Sequence, residues 1–210
     1  MIRVVIADDH AILRQGLRQI LSAQADMEVV GEAGNYAEVM QQVRHEQCDV
    51  LVLDIAMPGK NGIETLKQVK HEYPKLPVLM LSMYPEDQYA VRALKAGAAG
   101  YLNKVSAADQ LVHALRQLAR GRRYITAELA DSLAASLTGD QDVPAHELLS
   151  DREFQTLTQI AAGKTLAQIA EELVVSPKTI SVYRARLLAK LKLTTNAELT
   201  RYALENKLVE

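Results

Sequence analysis

Five short apolar runs, each trailed by a stretch of helical periodicity, occupy the chain from Arg3 to Arg120. Such alternation is the sequence sign of βαβ units and a parallel sheet. It predicts strands over Arg3–Ala7, Glu28–Ala33, Val50–Leu53, Val78–Leu81 and Gly100–Leu102. The predicted helices are Ile12–Ala23, Tyr36–Glu46, Gly62–Glu72, Glu86–Ala96 and Ala107–Arg120. Leu13, Leu17, Ile20 and Leu21 share one face of the first helix, and Gly97 and Gly121 stand where the fourth and fifth helices need a stop. Parallel strands are buried on both faces and read as unbroken apolar runs. The expected fold class is α/β, a doubly wound five-stranded parallel sheet.

Open α/β sheets bind ligands beyond the carboxyl ends of their strands, and here those ends carry chemistry. Val4-Val5-Ile6-Ala7 ends in Asp8 and Asp9, and Val50-Leu51-Val52-Leu53 in Asp54. Leu79-Met80-Leu81 runs into Ser82, a hydroxyl donor, and Tyr101-Leu102-Asn103 into Lys104, a tethered cation. Two unscreened carboxylates about 4 Å apart repel by roughly 4 kcal/mol at an effective dielectric of 20. A raised pKa or a bound cation relieves that. Oxygen ligands with open water positions suit Mg²⁺, and a free carboxylate beside such an ion can attack a phosphoryl group to give an aspartyl-phosphate. Taken singly each residue has a plainer reading: Asp8 and Asp9 as helix caps, Lys104 as a solvated loop charge, Tyr101 as an edge-strand ring. His10 reads as part of the first helical turn, and Met80 and Met83 as core or loop residues. Acid, acid, hydroxyl and ammonium at four strand ends of one sheet edge make a phosphoryl pocket.

Over residues 1–121 this set, with Leu53-Asp54-Ile55-Ala56-Met57-Pro58-Gly59-Lys60-Asn61-Gly62 and a tyrosine three residues before Lys104, resembles the receiver domain of two-component response regulators, a flavodoxin-like fold. The resemblance implies that Asp54 accepts a phosphoryl group from a sensor histidine kinase. It implies Mg²⁺ held by Asp54, directly by Asp9, through water by Asp8, and by the backbone carbonyl of Ala56. Ser82 and Lys104 would hold the phosphoryl oxygens, and Ser82 with Tyr101 would form the switch, the ring turning inward as the hydroxyl moves toward the phosphate. There is one departure. Many receivers have proline after this lysine, often with a cis bond, whereas Val105 follows here, and a cis bond before a non-proline residue costs about 3 kcal/mol. Ala56 and Tyr84 occupy the positions that tune hydrolysis of the phosphoryl group in related receivers. Neither positions a water as a carboxylate or amide would, so a long-lived phosphoform is expected.

The texture changes near Tyr124. Residues 122–147 read as a linker with one short amphipathic helix, Ala127–Leu137, and a polar stretch from Thr138 to Pro144. From 148 to 210 there are no strand-like runs. Three capping boxes, Ser150 with Glu153, Thr165 with Gln168 and Thr195 with Glu198, mark helix starts, and Ser176 before Pro177 marks a fourth. Four helices make a second, all-α domain. Thr165–Leu191 reads as helix, short turn, helix. Ile180, Tyr183, Leu187 and Leu191 form the buried stripe of the second, and Lys178, Ser181, Val182, Ala185, Arg186 and Ala189 the opposite face. Small residues flanked by cations suit close approach to a DNA groove; a hairpin with a solvated basic face is the plainer alternative.

Leu149-Ser150-Asp151-Arg152-Glu153, Ile160-Ala161, Gly163-Lys164, Ile169-Ala170, Lys178-Thr179-Ile180, Tyr183-Arg184, Lys190-Leu191 and Asn196-Ala197-Glu198-Leu199 make residues 148–208 similar to the LuxR-type helix-turn-helix of the NarL/FixJ class of response regulators. Tyr183 stands where that family often has His, a change that leaves packing intact. The resemblance implies that Ser181, Val182 and Ala185 meet base edges. Lys178, Thr179, Arg184 and Lys190 would hold phosphates, which give affinity without sequence information, and Arg186 completes the DNA-binding set. The last helix, Asn196–Asn206, would be a dimer contact.

Charge agrees with a face and not a basic domain. The 210 residues carry a net charge of −2, and from Glu147 to Glu210 there are 9 Lys/Arg against 8 Asp/Glu, yet Lys178–Lys192 holds five bases and no acid. Cys48 is alone, which excludes an internal disulfide or a cysteine-rich zinc site. No signal peptide and no apolar run of the ~18 residues a membrane span needs is present, so a soluble cytoplasmic protein is expected. The whole predicts a transcription regulator that is phosphorylated stoichiometrically, with slow autodephosphorylation, and is not a turnover enzyme. Its implied partners are the kinase, promoter DNA, a second copy of the chain and RNA polymerase; the unphosphorylated receiver would hinder DNA binding or dimerisation. A phosphohydrolase of the haloacid dehalogenase type would want a second Asp where Ala56 stands. A flavodoxin-like cofactor binder would want a Gly/Ser/Thr-rich phosphate loop after the first strand. A receiver that dimerises without phosphorylation would not need the intact acidic set.

Overall fold

Side chains alternate across a strand, and the five apolar runs use that alternation to fill both faces of one sheet. The computed structural model describes residues 1–83, 86–104, 107–126, 129–130, 144–206 and 208–209. The chain divides into two units, Met1–Leu133 and Ala134–Glu210. In the first, β1 (Ile2–Ala7), β2 (Met27–Ala33), β3 (Val50–Asp54), β4 (Val78–Ser82) and β5 (Gly100–Asn103) alternate with α1 (Ala11–Ser22), α2 (Tyr36–His45), α3 (Gly62–Glu72), α4 (Glu86–Lys95) and α5 (Ala107–Ala119). All neighbouring strands pair parallel in the order β2-β1-β3-β4-β5. That order reverses direction at β1 and β3, so the ligand crevice opens where those two strands end.

One face of the sheet carries Val4, Ile6, Val50, Val52, Leu79, Leu81 and Leu102, packed against Leu17 and Leu21 of α1 and Leu111, Leu115 and Leu118 of α5. Val5, Leu51, Leu53, Met80 and Tyr101 alternate with them and are equally buried; α3 lies against β3 and α4 against β5. Each such aliphatic side chain contributes about 1.5–3 kcal/mol on burial. The expected strands and helices are all present, with ends shifted by a residue or two. The shifts matter at the site, because Asp54 and Ser82 are the last residues of their strands and not the first of their loops. Gly97 and Gly121 take φ of 103° and 74°, the left-handed stops that glycine supplies without strain. Tyr124 still belongs to this unit: its N–H donates to the Ala99 carbonyl at 2.9 Å, and its hydroxyl to Gln110 Oε1 at 3.1 Å.

Among the described residues the second unit has a short 3₁₀ turn, Ala145–Leu148, followed by α6 (Asp151–Ala161), α7 (Leu166–Glu172), α8 (Pro177–Leu191) and α9 (Asn196–Glu205). All three expected capping boxes form, and the Ser176 side chain caps α8 with Pro177 in its first turn. Phe154, Leu157 and Ile160 of α6 meet Ile180, Leu187 and Leu191 of α8 and Leu199 and Ala203 of α9 in the core. The turn between α7 and α8 passes through Val174, at φ 52° and largely exposed; a β-branched residue in this region is strained. The amphipathic helix expected at Ala127–Leu137 and the polar linker after it lie almost wholly outside the described residues.

Candidate functional site

The strand alternation that builds the core also aims the pocket. Asp8, Asp54 and Lys104 extend the rows of Ile6, Val52 and Leu102, whereas Ser82 extends the row of Met80 beside Tyr101. Lys104 Nζ lies 2.6 Å from Asp8 Oδ2 and 2.9 Å from Asp54 Oδ2, and all three side chains are at most 5% exposed. The Lys104 N–H donates to the Ser82 carbonyl at 2.7 Å, which ties the β5 exit to the end of β4. One buried cation serves two buried carboxylates, so an excess negative charge remains inside the pocket. Asp54 Oδ1 is buried with no hydrogen-bond partner. Burial raises the Asp54 pKa; Lys104 opposes this and the Asp8 charge reinforces it. For Lys104 burial works against the charged form, but the Asp54 and Asp8 carboxylates outweigh it and the pKa is raised.

The turn after Asp54 is held from both sides. The Gly62 N–H donates to the Ile55 carbonyl at 2.9 Å, and a Cβ at residue 62 would overlap the Asp54 carbonyl oxygen. Only glycine lets α3 start so close to the acceptor strand. Asn61, itself buried, caps α3 in a box with Glu64. Ala56 is exposed at the lip. Ser82 and Tyr101 are each 1% exposed. Tyr84 and Val105 lie outside the described residues.

At the mouth, Asp9 is exposed, and its carboxylate lies 2.8 Å from His10 Nδ1, which also approaches Asp8 Oδ1 at 3.2 Å. His10 is the N-cap of α1, with φ −86° and ψ 103°, and not a residue of its first turn. Donor atoms of Asp8, Asp9, His10 and Asp54 all lie within 4.8 Å of one another. A divalent cation fits this set: the donors are mostly carboxylate oxygens, one is a buried orphan, and the pocket holds more negative than positive charge.

On α8, Lys178, Ser181, Val182, Ala185 and Arg186 are exposed together, opposite buried Ile180, Leu187 and Leu191. Three other residues of the expected DNA set are committed elsewhere. Lys190 Nζ pairs with the buried Glu153 carboxylate at 2.6 Å, Arg184 Nε donates to Asn196 Oδ1 at 2.5 Å, and the Thr179 hydroxyl hydrogen-bonds Ser176 Oγ at 2.9 Å.

Residues 4–116 match the family model described as response regulator receiver domain, and residues 147–203 the model described as bacterial regulatory proteins, luxR family. The chain is 37% identical over 215 residues to the oxygen regulatory protein NreC of Staphylococcus carnosus, covering 99% of both chains. Among solved structures, RcsB of Salmonella typhimurium superposes with a TM-score of 0.71 at 27% identity, over 100% of this chain and 98% of that one. RcsB of Salmonella enterica serovar Typhimurium bound to promoter rprA with the phosphomimetic BeF3⁻ gives 0.66 at 29% identity, over 96% and 98%. The chain is a response regulator. It belongs to the NarL/FixJ class, with a receiver unit followed by a LuxR-type helix-turn-helix, and it is a DNA-binding transcription regulator. No helix among the described residues is long and apolar enough to cross a membrane.

Two residues at the regulator's pocket escaped the sequence reading. His10 was set aside as helical, yet its ring meets both acids. Arg14 donates from Nη1 to the Asp8 carbonyl at 2.6 Å while its Nε pairs with Glu32 at 3.2 Å. Nothing local marks Arg14; only the packing of α1 beside β2 brings it to the end of β1.

Proposed function

We propose that Asp54 accepts a phosphoryl group from a sensor histidine kinase, with Mg²⁺ bound, and that this mark promotes dimerisation and promoter binding. The observation that carries this reading is the Asp54 carboxylate itself: buried, one oxygen without a hydrogen bond and the other 2.9 Å from the Lys104 ammonium. Buried acceptors are ordinarily satisfied, so an open one beside a cation is shaped for an incoming anionic group. An Asp54 oxygen attacks phosphorus, the nitrogen–phosphorus bond of the phosphohistidine breaks, and the histidine nitrogen keeps the electron pair and takes a proton. Lys104 then exchanges its Asp54 contact for a phosphoryl oxygen, and the Ser82 hydroxyl donates to another. Mg²⁺, held by Asp9, Asp54 and the Ala56 carbonyl, with Asp8 through water, would neutralise phosphoryl charge. Ile12, 85% exposed in the first turn of α1, and Met83, 65% exposed after β4, offer apolar contacts for the kinase beside the pocket.

The mark would relieve interdomain inhibition through Ser82 and Tyr101. Phosphorylation would favour one arrangement of these two residues over another, a population shift. Lys178 and Arg186 would meet phosphates while Ser181, Val182 and Ala185 face base edges; α9 would join two copies at the promoter, where RNA polymerase is met. The relatives RcsB, bound to promoters and as dimers on DNA, support this use of the helical unit. Intact-mass measurement after incubation with a small-molecule phosphodonor and Mg²⁺ tests the chemistry. One added phosphoryl group is expected on the wild type and none on Asp54→Asn; equal labelling of both would refute it.

A further inference from the structure

The middle of α8 is poor in side chains that read a base through paired hydrogen bonds. From Pro177 to Leu191 the helix contains no Asn, Gln, Asp or Glu, so the usual amide and carboxylate readers of adenine and cytosine are missing. Arg184 is the one cation between Lys178 and Arg186, and its Nε is committed to Asn196 at 2.5 Å. What that stretch exposes instead is Ser181, Val182 and Ala185, with the apolar, β-branched Val182 left 42% exposed. The Ser181 hydroxyl donates to the Pro177 carbonyl at 3.0 Å. A serine can address either donors or acceptors on a base edge, but a hydroxyl has one hydrogen and two lone pairs. With that hydrogen spent on the helix, Ser181 presents only acceptors outward.

Base pairs differ in what they show in the major groove. Guanine offers two acceptors, N7 and O6, and meets an acceptor-only serine badly. Cytosine offers an amino donor but no methyl group. An A·T pair offers both the adenine N6 amino donor and the thymine C5-methyl. We propose that α8 selects A·T pairs: Val182 and Ala185 pack on thymine methyl groups, and Ser181 accepts from an adenine amino group. This rests on the reading of the exposed face of α8 as the one that enters the groove. Ser181, Ala185 and Ala189 follow one another at intervals of four residues, so small side chains line one side of the helix and let its backbone come close to the bases. Lys178 and Arg186 stay with phosphates, which set affinity and its salt dependence but carry no sequence information.

The test uses the full chain, with beryllofluoride and Mg²⁺, on a duplex recovered by selection from random DNA. Its thymines are replaced one at a time by deoxyuridine, which lacks only the methyl group, and its adenines by unsubstituted purine, which lacks only the amino group. The wild type is expected to lose affinity about fourfold for each contacted methyl removed. Val182→Ala is expected to ignore deoxyuridine at a position where the wild type responds, and Ser181→Ala to ignore purine at another. Both residues are exposed, so neither change opens the core. Wild-type binding that is indifferent to every deoxyuridine overturns the proposal. So does a response left unaltered by Val182→Ala or Ser181→Ala, or a selection that enriches no A·T pair. Ser181→Glu separates this outcome from the underlying reading, because a carboxylate there repels DNA if α8 enters the groove. Loss of binding in Ser181→Glu with indifference to deoxyuridine sinks the proposal alone, whereas undiminished binding in Ser181→Glu brings down the placing of α8 against DNA and the proposal with it.

Discussion

The two units treat buried charge in opposite ways. In the helical unit Glu153 is enclosed but paired, its Oε2 taking Lys190 Nζ at 2.6 Å and the Ser150 N–H at 2.8 Å. In the receiver unit Asp8 and Asp54 share a single lysine, and Asp54 Oδ1 is left over. A satisfied buried pair supports a fold, whereas an unsatisfied one is a standing demand for a ligand. The same contrast runs along α8, where Lys190 and Arg184 pair inside the unit while Lys178 and Arg186 lie on the exposed face. Charge alone does not separate function from scaffold; pairing does.

The sharpest way to break this contrast is to remove the shared cation. Lys104→Met leaves Asp54 without its cation and Asp8 with only its His10 contacts, and a destabilisation of about 3–5 kcal/mol is expected in urea unfolding of the receiver transition. Mg²⁺ should restore much of it. An unchanged midpoint without Mg²⁺ would show that the pocket already satisfies its acids. Lys190→Met does the corresponding damage in the helical unit. Since Lys190 is partly exposed, a smaller loss of about 1–3 kcal/mol is expected, and Mg²⁺ should not repair it.

Asp54 and the buried or capped glutamates of the helical unit should respond to pH with opposite sign. Burial first, with Lys190 and Ser150 prevailing over it, leaves the Glu153 pKa lowered. Bonds from the Thr194 N–H, then its hydroxyl and the Thr195 N–H, lower Glu198 to about 2. Depressed carboxylates contribute stability that is complete above the unfolded-state value and is lost as pH falls through the folded one. The thermal midpoint of the helical unit should therefore decline below about pH 4.5, the ordinary glutamate range, toward pH 2. Asp54 is raised, so its protonation stabilises the receiver and its contribution grows as pH falls through that raised value. Phosphorylation needs the ionised form and should slow over the same interval. A phosphorylation rate that did not fall over that interval would contradict the Asp54 assignment.

Ala56, exposed and without a polar side chain at the lip of the pocket, sharpens the functional half of the comparison. Ala56→Glu would give the phosphoryl group a neighbour able to position water, and a shorter half-life of the labelled protein is expected, read from the decay of its intact mass. The smallest effect belongs to the scaffold. Val174→Gly relieves the left-handed strain in the turn before α8 and should raise stability by about 1 kcal/mol or less.

Much of this was legible in the residues. The βα alternation announces the sheet, and its strand ends announce the pocket, because parallel topology carries every strand's last residue to the same edge. Ser150, Thr165, Ser176 and Thr195 announce the helical unit, because a cap and its partner lie three residues apart and need no tertiary knowledge. What escaped depends on contacts between distant segments. Arg14 reaches the Asp8 carbonyl only after α1 packs beside β2. Lys190 meets the Glu153 carboxylate, thirty-seven residues earlier, only in the folded unit. The left-handed turn at Val174 carries no glycine to betray it.

The central claim is that an unsatisfied carboxylate at Asp54 governs the satisfied helical unit. It is tested most directly by binding of the full-length protein to a DNA site recovered by selection, with and without beryllofluoride and Mg²⁺, in wild type and Asp54→Asn. The account predicts that beryllofluoride tightens wild-type binding and leaves Asp54→Asn unmoved. Equal tightening of both proteins, or none in the wild type, would contradict it.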